Sequence, residues 1–392
     1  ALSDPGIDDF RNELLWSPES PTLIDATVEL LDGDRVIDRV VSYTALRSVS
    51  VQRGRFLLNG RPYMMKLVLD QGYWPESFMT PPNEDAIRAD IELVKGAGFN
   101  GVRKHQKIED PNFFYWADKL GLLVWGEMPS AYRFTHLSVE RITAEWTEAI
   151  DRDMNHPSLV VWVPFNESWG VPDLAEKVAH QSAVQALYHL TKTLDSTRPV
   201  IGNDGWESTA TDILGIHDYE HLPDRLLEKY ASSKNISDVL SSRWPGGRML
   251  TVEGYPHTGQ PVMLTEFGGI ACIDPADSRD RKNWGYTVCE SPDELRGRYE
   301  ALLKAVHRIE LFDGFCYTQF TDTFQEANGL FTMDRQPKFP LEAMAWATRG
   351  AGYTRGELSS VPQAPTLSSP VSDAAPLTLD HLVMESEKSH AP

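Results

Sequence analysis

The chain has 392 residues, enough for one large domain and a smaller one. Its 37 basic and 57 acidic residues give a net charge of −20, which repels phosphate backbones and anionic lipid surfaces and argues against nucleic acid or membrane partners. The three cysteines, Cys272, Cys289 and Cys316, lack CxxC spacing and favour neither a disulfide framework nor a zinc site.

The first predicted elements form a β-hairpin. Residues 23–50 alternate apolar and polar side chains around Asp32-Gly33-Asp34, a hairpin-type turn signal. Because two or three strands are too few to close a sandwich, we interpret residues 1–50 as the last part of a β-domain, with an apolar strand edge left exposed. Residue 1 is not Met, so a signal peptide or an upstream domain could have been removed; localisation, cytoplasmic or secreted, stays open.

From about residue 56, strand patterns alternate with helix patterns, which is typical of a parallel α/β sheet. One helix is predicted after Asn83, with Ile87 and Ile91 on one face. The strand candidates lie at residues 64–70, 99–105, 122–128, 159–167, 199–204, 213–219, 261–267 and 314–320. These eight strands predict a (β/α)8 TIM barrel over residues 51–352, and the Ser- and Pro-rich residues 353–392 predict a disordered tail.

Polar side chains at the carboxyl ends of barrel strands are informative, because active sites lie at that end of this fold. The predicted strand ends carry Asp70, Arg103, His105, Glu127, Asn166, Glu167, Asp204, His217, Asp218, Tyr219, Glu266 and Gln319. A lone carboxylate is more often part of a structural ion pair, but a whole ring of polar groups is harder to explain that way. Two carboxylates across a sugar ring are the minimal machinery for glycoside hydrolysis. On chemistry alone, Glu127, Glu167, Glu253 and Glu266 all stay candidates for that pair.

Four motifs carry a resemblance to a known family. They are "FLLNGRPY" at 56–63, "ADKLGLLVWGEMP" at 117–129, "FNES" at 165–168 and "TEFGG" at 265–269. In this order they resemble glycoside hydrolase family 2, the β-galactosidase and β-glucuronidase family, over about residues 14–350. The resemblance implies a (β/α)8 barrel preceded by a partial immunoglobulin-like β-sandwich, of which residues 1–50 would be a remnant.

The resemblance also implies roles for matching residues. Glu167 matches the acid/base of the family and Glu266 the nucleophile. We expect the apolar strand before Glu167 to favour the protonated carboxyl that an acid catalyst needs. Asn166 would hydrogen-bond the sugar 2-hydroxyl, and Tyr219, in "HDY", matches the position that steadies the nucleophile.

Further side chains are predicted to bind substrate. Arg103 and His105, in "GVRKHQ", resemble the family's pair near the nucleophile and the sugar hydroxyls; the alternative is an ion pair with Asp70 or Glu127. Trp74, in the loop "DQGYWPES", is the predicted platform for a sugar face. The predicted substrate-binding set is completed by His217 and Asp70.

These features together favour a retaining exo-β-glycosidase, of β-galactosidase type, with an oligosaccharide or glycoside as its substrate and no metal or organic cofactor. The chain has Asn328-Gly329-Leu330 where glucuronic acid enzymes of the family carry Asn-x-Lys, and Tyr317 or Gln319 replaces a tryptophan that many relatives carry. The alternatives are a β-glucuronidase, an α-L-arabinosidase, an endo-glycanase or a non-catalytic carbohydrate-binding protein. Self-association into a homo-oligomer stays open.

Overall fold

The computed structural model describes residues 13–231, 239–240, 243–244, 247–272 and 285–350. The predicted tail at 353–392 lies outside these residues, as do residues 1–12. No helix in the described part of the chain combines the length and the apolar character that a membrane crossing needs.

The N-terminal part contains two small antiparallel sheets. Strands β1 (Ile24–Asp32) and β2 (Arg35–Thr44) form a hairpin, and β3 (Val49–Gln52), β4 (Arg55–Leu58) and β5 (Arg61–Pro62) form a three-stranded sheet. The hairpin exposes apolar side chains: Val28 is 64% exposed and Val41 77%. Because β1 and β2 pair only with each other in the described residues, an immunoglobulin-like sandwich is not clearly shown.

Strands and helices then alternate along the rest of the chain. The elements are β6 (Met65–Asp70), α1 (Glu84–Gly96), β7 (Gly101–Lys104), α2 (Pro111–Leu120), β8 (Leu123–Glu127), α3 (His136–Asp153), β9 (Leu159–Val163), α4 (Val178–Leu194), β10 (Leu214–His217), α5 (Pro223–Tyr230), β11 (Arg243–Trp244), β12 (Arg248–Met249), β13 (Val262–Gly268), β14 (Ile270–Cys272), β15 (Thr287–Cys289), α6 (Pro292–Val306), β16 (Phe312–Thr318) and α7 (Leu341–Arg349). Seven strands form one parallel sheet in the order β10-β13-β16-β6-β7-β8-β9. The fold is therefore of the TIM-barrel-like α/β type.

The predicted strand at 199–204 differs from the expectation. It makes isolated parallel bridges to the β9 side, between Trp162 and Val200 and between Asn166 and Asp204, instead of a regular ladder. On its other side, the His217 amide donates to the Gly205 carbonyl at 3.3 Å. The segment thus lies between the two edge strands of the sheet, β9 and β10, as an irregular strand.

Side chains on the central strands alternate between two apolar clusters. Val68 packs into the cluster under the helices, whereas Leu67 and Leu69 pack into an interior cluster with Trp125. Both faces of these strands are buried, which explains their near-continuous apolar sequences. The helices start where the sequence predicts: Asn83 caps α1 by accepting from the Ala86 amide.

Candidate active site

Arg103 lies at the centre of a buried ion cluster at the carboxyl ends of the strands. It sits on β7 with no exposed surface. Its Nε donates to Glu127 Oε2 at 2.6 Å, its Nη1 lies 2.9 Å from Asp204 Oδ2, and its Nη2 donates to Asn166 Oδ1 at 2.7 Å. Burial would lower the pKa of Arg103, but the three carboxylates around it raise that pKa well above its ordinary value. The guanidinium therefore stays charged and fixes residues from several strands.

Glu266, on β13, is held through both carboxylate oxygens. Arg103 Nη1 donates to Oε1 at 3.0 Å, and the Tyr219 hydroxyl donates to Oε2 at 2.5 Å. The side chain of Glu266 is only 6% exposed. The ring of Tyr219 is in turn stacked on Tyr286, with ring centroids 3.4 Å apart and planes 10° apart. The structure therefore brings Tyr219 to Glu266 as predicted and adds an aromatic support behind it.

Glu167 lies in a turn beyond β9, not at the end of a strand as predicted. Strand β9 stops at Val163, and Glu167 and Ser168 adopt positive φ angles of 52° and 58°. Such left-handed backbone is costly for residues with side chains and often occurs at functional sites. The turn aims Glu167 at His217, whose Nδ1 lies 2.8 Å from Glu167 Oε1.

The expected protonation of Glu167 is wrong for this arrangement. Burial raises the pKa of Glu167, but the hydrogen bond and charge of His217 outweigh it, and the pKa lies below its ordinary value. Burial alone would lower the pKa of His217; the charge of Glu266 and the bonds to Asp204 and Glu167 raise it to about 10. The pair therefore holds its proton on the imidazole, with Nδ1–H donating to Glu167.

Glu167, His217 and Glu266 converge on one point. One ligand-type atom of each lies within 4.8 Å of the others, and they form the one group of this kind in the described residues that has the spacing of a metal site. A protonated imidazole has no lone pair for a cation, and Arg103 already occupies Glu266 Oε1. The arrangement therefore fits two facing carboxylates better than a metal centre.

The other two carboxyl candidates do not share this geometry. Both oxygens of Glu127 are engaged, Oε2 by Arg103 and Oε1 by the Gln106 amide at 2.9 Å. Glu253 is exposed on a turn. Neither faces Glu266 as Glu167 does.

The remaining predicted residues divide into two groups. His105 reaches the site: its Nδ1 lies 3.1 Å from Glu127 Oε1 and 3.8 Å from Glu266 Oε1. Asp70 does not, since it pairs with Lys104 at 2.5 Å in a separate buried network. Trp74 is only 7% exposed, and the Arg335 guanidinium covers its ring at 3.5 Å, so its ring face is not free to act as a sugar platform.

The sequence did not identify Tyr286 as a site residue, and it identified Asp204 only as one of the polar residues at the strand ends. Tyr286 follows residues whose structure is not described, and nothing in its local pattern marks it. Asp204 links Arg103 to the barrel: it accepts from the Thr265 hydroxyl at 2.8 Å, and burial, which raises its pKa, is outweighed by Arg103, so that the pKa falls to about 2. Its position at a predicted strand end was the available signal.

Comparison with known proteins agrees with this fold. The family model described as "Glycosyl hydrolases family 2, TIM barrel domain" matches residues 49–272, more than half of the chain. A β-galactosidase of Photobacterium profundum is 28% identical over 272 residues, covering 66% of this chain and 24% of the relative. A β-galactosidase of Vibrio vulnificus is 28% identical over 274 residues, again covering 66% and 24%. The chain thus spans about a quarter of the length of these curated relatives.

Solved structures share the fold at lower identity. A β-D-glucuronidase of Dictyoglomus thermophilum superimposes with a TM-score of 0.67 at 20% identity, covering 89% of this chain and 59% of that one. A β-galacturonidase of Eisenbergiella tayi, bound to galacturonate, gives a TM-score of 0.62 at 21% identity, covering 86% and 60%. With the family model matching most of the barrel strands, the chain belongs to glycoside hydrolase family 2 through its TIM barrel domain.

Proposed function

We propose that this chain hydrolyses β-glycosides with retention of configuration, with Glu266 as nucleophile and Glu167 as acid/base. The supporting observation is that carboxylate oxygens of the two residues come within 4.8 Å of each other. Retaining glycosidases place their carboxyl groups about 5–5.5 Å apart, whereas inverting enzymes leave room for a water between them. The spacing therefore favours direct attack on the anomeric carbon.

In the first step, a Glu266 oxygen forms a bond to the anomeric carbon while the bond to the leaving oxygen breaks. The leaving oxygen takes a proton from Glu167, which takes the Nδ1 proton of His217. Arg103 and Tyr219 hold the two oxygens of Glu266 in place, which keeps one lone pair directed at the sugar. The products are a glycosyl ester on Glu266 and the free aglycone.

In the second step, water attacks the anomeric carbon and the ester bond to Glu266 breaks. Glu167 accepts the water proton and passes it to His217, which restores the starting state. Because the carbon is attacked once from each face, the configuration is retained. This route explains how Glu167 serves as an acid although His217 holds the proton in the free site.

Asn166 contributes to sugar recognition in this proposal. Its Oδ1 accepts from Arg103, which orients the amide so that Nδ2 is the free end. Among the described residues, Nδ2 has no hydrogen-bond partner and is not fully buried. It is therefore available to a sugar hydroxyl, and such contacts tighten as the oxocarbenium-like transition state develops.

For the sugar itself we propose a β-galactoside. The curated relatives are named β-galactosidases, and residues 328–330 lack the lysine of an Asn-x-Lys element. The uronidases among the solved structures are only about 20% identical in sequence, so their similarity supports the fold and not the substrate.

A panel of aryl β-glycosides on the purified chain tests the proposal. We expect turnover of the galactoside, loss of at least about a thousandfold in Glu266→Gln and Glu167→Gln, and little change in the exposed control Glu253→Gln. A 2-deoxy-2-fluoro galactoside should label Glu266 covalently, as read by peptide mass spectrometry. A chain that binds sugars without turnover, or that keeps its activity in Glu266→Gln, overturns the assignment.

A further inference from the structure

A cluster of three amides and one carboxylate lies beside the proposed catalytic centre. We call it the amide–acid cluster; its members are Gln71, Gln319, Glu326 and Asn328. Gln319 and Asn328 are 1% exposed, whereas Gln71 and Glu326 are half-buried. None of the four enters the mechanism described above.

Strand order places this cluster between the nucleophile and His105. Gln319 directly follows β16 and Gln71 directly follows β6. In the sheet these strands lie between β13, which carries Glu266, and β7, which precedes His105. Consistent with this placement, the charges of His105 and Glu266 both act on the pKa of Glu326, which burial raises above its ordinary value. The cluster therefore lies at the same carboxyl end of the sheet as Glu266 and His105, between the two.

The hydrogen bonds of the cluster leave one oxygen of Glu326 free. Gln71, Gln319 and Asn328 all donate through their amide nitrogens to Oε2, at 3.2, 3.0 and 3.4 Å. Oε1 accepts no hydrogen bond from any described residue and is not a fully buried atom. Three donors on one oxygen fix the direction of the carboxylate, so that the second oxygen is left for a ligand.

No lysine or arginine forms an ion pair with this carboxylate among the residues that the structure describes, and the charge of His105, which lowers the pKa of Glu326, acts from beyond ion-pair distance. The described ion pairs include none to Glu326. The lysine closest in sequence to this loop, Lys338, donates to Asp322 Oδ1 at 2.7 Å and to the Ala327 carbonyl at 2.8 Å. A sugar beside the amide–acid cluster therefore meets a negatively charged acceptor, whereas a site that binds acidic sugars needs a positive charge.

The loops that carry the cluster are also packed against each other. Phe324 contacts Tyr73 edge-on, with ring centroids 6.0 Å apart, and Phe78 at 5.2 Å. These contacts join the loop after β6 to the loop after β16, which limits the ability of Glu326 to turn away from an unfavourable ligand.

We propose that the amide–acid cluster selects uncharged glycones, with Glu326 accepting a hydroxyl hydrogen bond and repelling sugars that carry a carboxylate. The inference rests on the proposed function, because it assigns a substrate class to the same candidate active site. Rejection of a competitor by a charge of the same sign is a common source of specificity. A glutamine in place of Glu326 would keep one oxygen for the three amide donors, replace the second oxygen by an NH2 donor, and lose the repulsion.

The test compares p-nitrophenyl β-galactoside with p-nitrophenyl β-galacturonide, which differ only at C6, a hydroxymethyl group in the first and a carboxylate in the second. We expect the unmodified chain to prefer the galactoside by about a hundredfold or more in kcat/KM, and Glu326→Gln to reduce that ratio by about tenfold or more. Glu326→Asp, which keeps the charge, and Glu342→Gln, which removes an exposed charge on α7, should leave the ratio unchanged. General damage to the fold lowers kcat/KM for both substrates together and does not change their ratio.

Calorimetric titration with a neutral and a uronic iminosugar separates this inference from the proposed function. A chain without turnover that still binds the neutral compound better, and loses that preference in Glu326→Gln, supports the inference while the catalytic proposal fails. Turnover that depends on Glu266, with a ratio unaffected by Glu326→Gln, overturns the inference alone. A preference for the galacturonide, or no binding of either iminosugar, also overturns it.

Discussion

Tyr219→Phe isolates a single hydrogen bond at the proposed nucleophile. The substitution removes the hydroxyl that donates to Glu266 Oε2 at 2.5 Å and keeps the ring that stacks on Tyr286 at 3.4 Å. A hydrogen bond to a charged group contributes about 1.5–3 kcal/mol. If that energy orients the carboxylate for attack, kcat/KM falls by about ten- to a hundredfold, at 1.36 kcal/mol per factor of ten.

Tyr317→Phe is the matched control. The Tyr317 hydroxyl is buried and has no hydrogen-bond partner among the described residues, so its loss should change kcat/KM less than twofold by the same reasoning. The assay is steady-state hydrolysis of an aryl β-galactoside, with thermal denaturation of both variants to compare folding. Equal kcat/KM values for Tyr219→Phe and the unmodified chain would refute the orienting role. An equal loss in both variants would instead indicate a general disturbance of the barrel.

Two further predictions test the proton route and the packing of the site. The pKa of His217 is raised to about 10, so the imidazole is protonated below that pH; the basic limb of kcat/KM should lie near pH 10 and move down by roughly one unit or more in His217→Gln, where only Glu167 can hold the proton. Identical pH profiles for the two proteins contradict the route. A Cβ at Gly215 would lie 1.6 Å from Asp204 Oδ1, so Gly215→Ala should lower the free energy of unfolding by about 1–3 kcal/mol in urea titration. Gly297→Ala, in a helix with open space around it, should instead stabilise by about 0.5–1 kcal/mol; a similar loss in both variants would rule out the crowding explanation.

Local patterns predicted the alternating elements and several of their limits. Caps such as Asn83 depend on a few neighbouring residues, and the apolar strands report burial on both faces. The segment 199–204 looked like its neighbours, but Gly202 lies against the Ala210 carbonyl, where a Cβ would be 2.2 Å away, and Ile201 pairs with Thr211 in an antiparallel bridge. These contacts come from the following turn, which no strand pattern reports.

The proximity of Glu167 and Glu266 agrees with the order of the motifs, whereas the protonation of the candidate site could not be predicted, because its charges come from distant parts of the chain. The motifs placed Glu167 and Glu266 together, but the proton on His217 depends on a contact fifty residues away along the chain. Trp74 lies in a loop, where the sequence predicts an exposed ring. In the structure, Arg335, from near the end of the described chain, covers that ring. A sequence pattern specifies the types of side chain, whereas the pKa and the exposure of each side chain depend on which others it contacts in the fold.

The same contacts link proton delivery to the chemistry at Glu266. His217 Nε2 lies 3.5 Å from Glu266 Oε1, and the negative charge of Glu266 is the largest of the influences that raise the pKa of His217. In the proposed mechanism, that charge disappears when Glu266 forms the glycosyl ester, and the pKa of His217 falls while Glu167 delivers its proton. When water releases the sugar, the charge returns and His217 again attracts the proton that Glu167 has taken. Bond formation at Glu266 therefore promotes proton transfer through Glu167. If Asp204 were the only acidic partner of His217, the pKa of His217 would not respond to the reaction at Glu266, and this coupling would be lost.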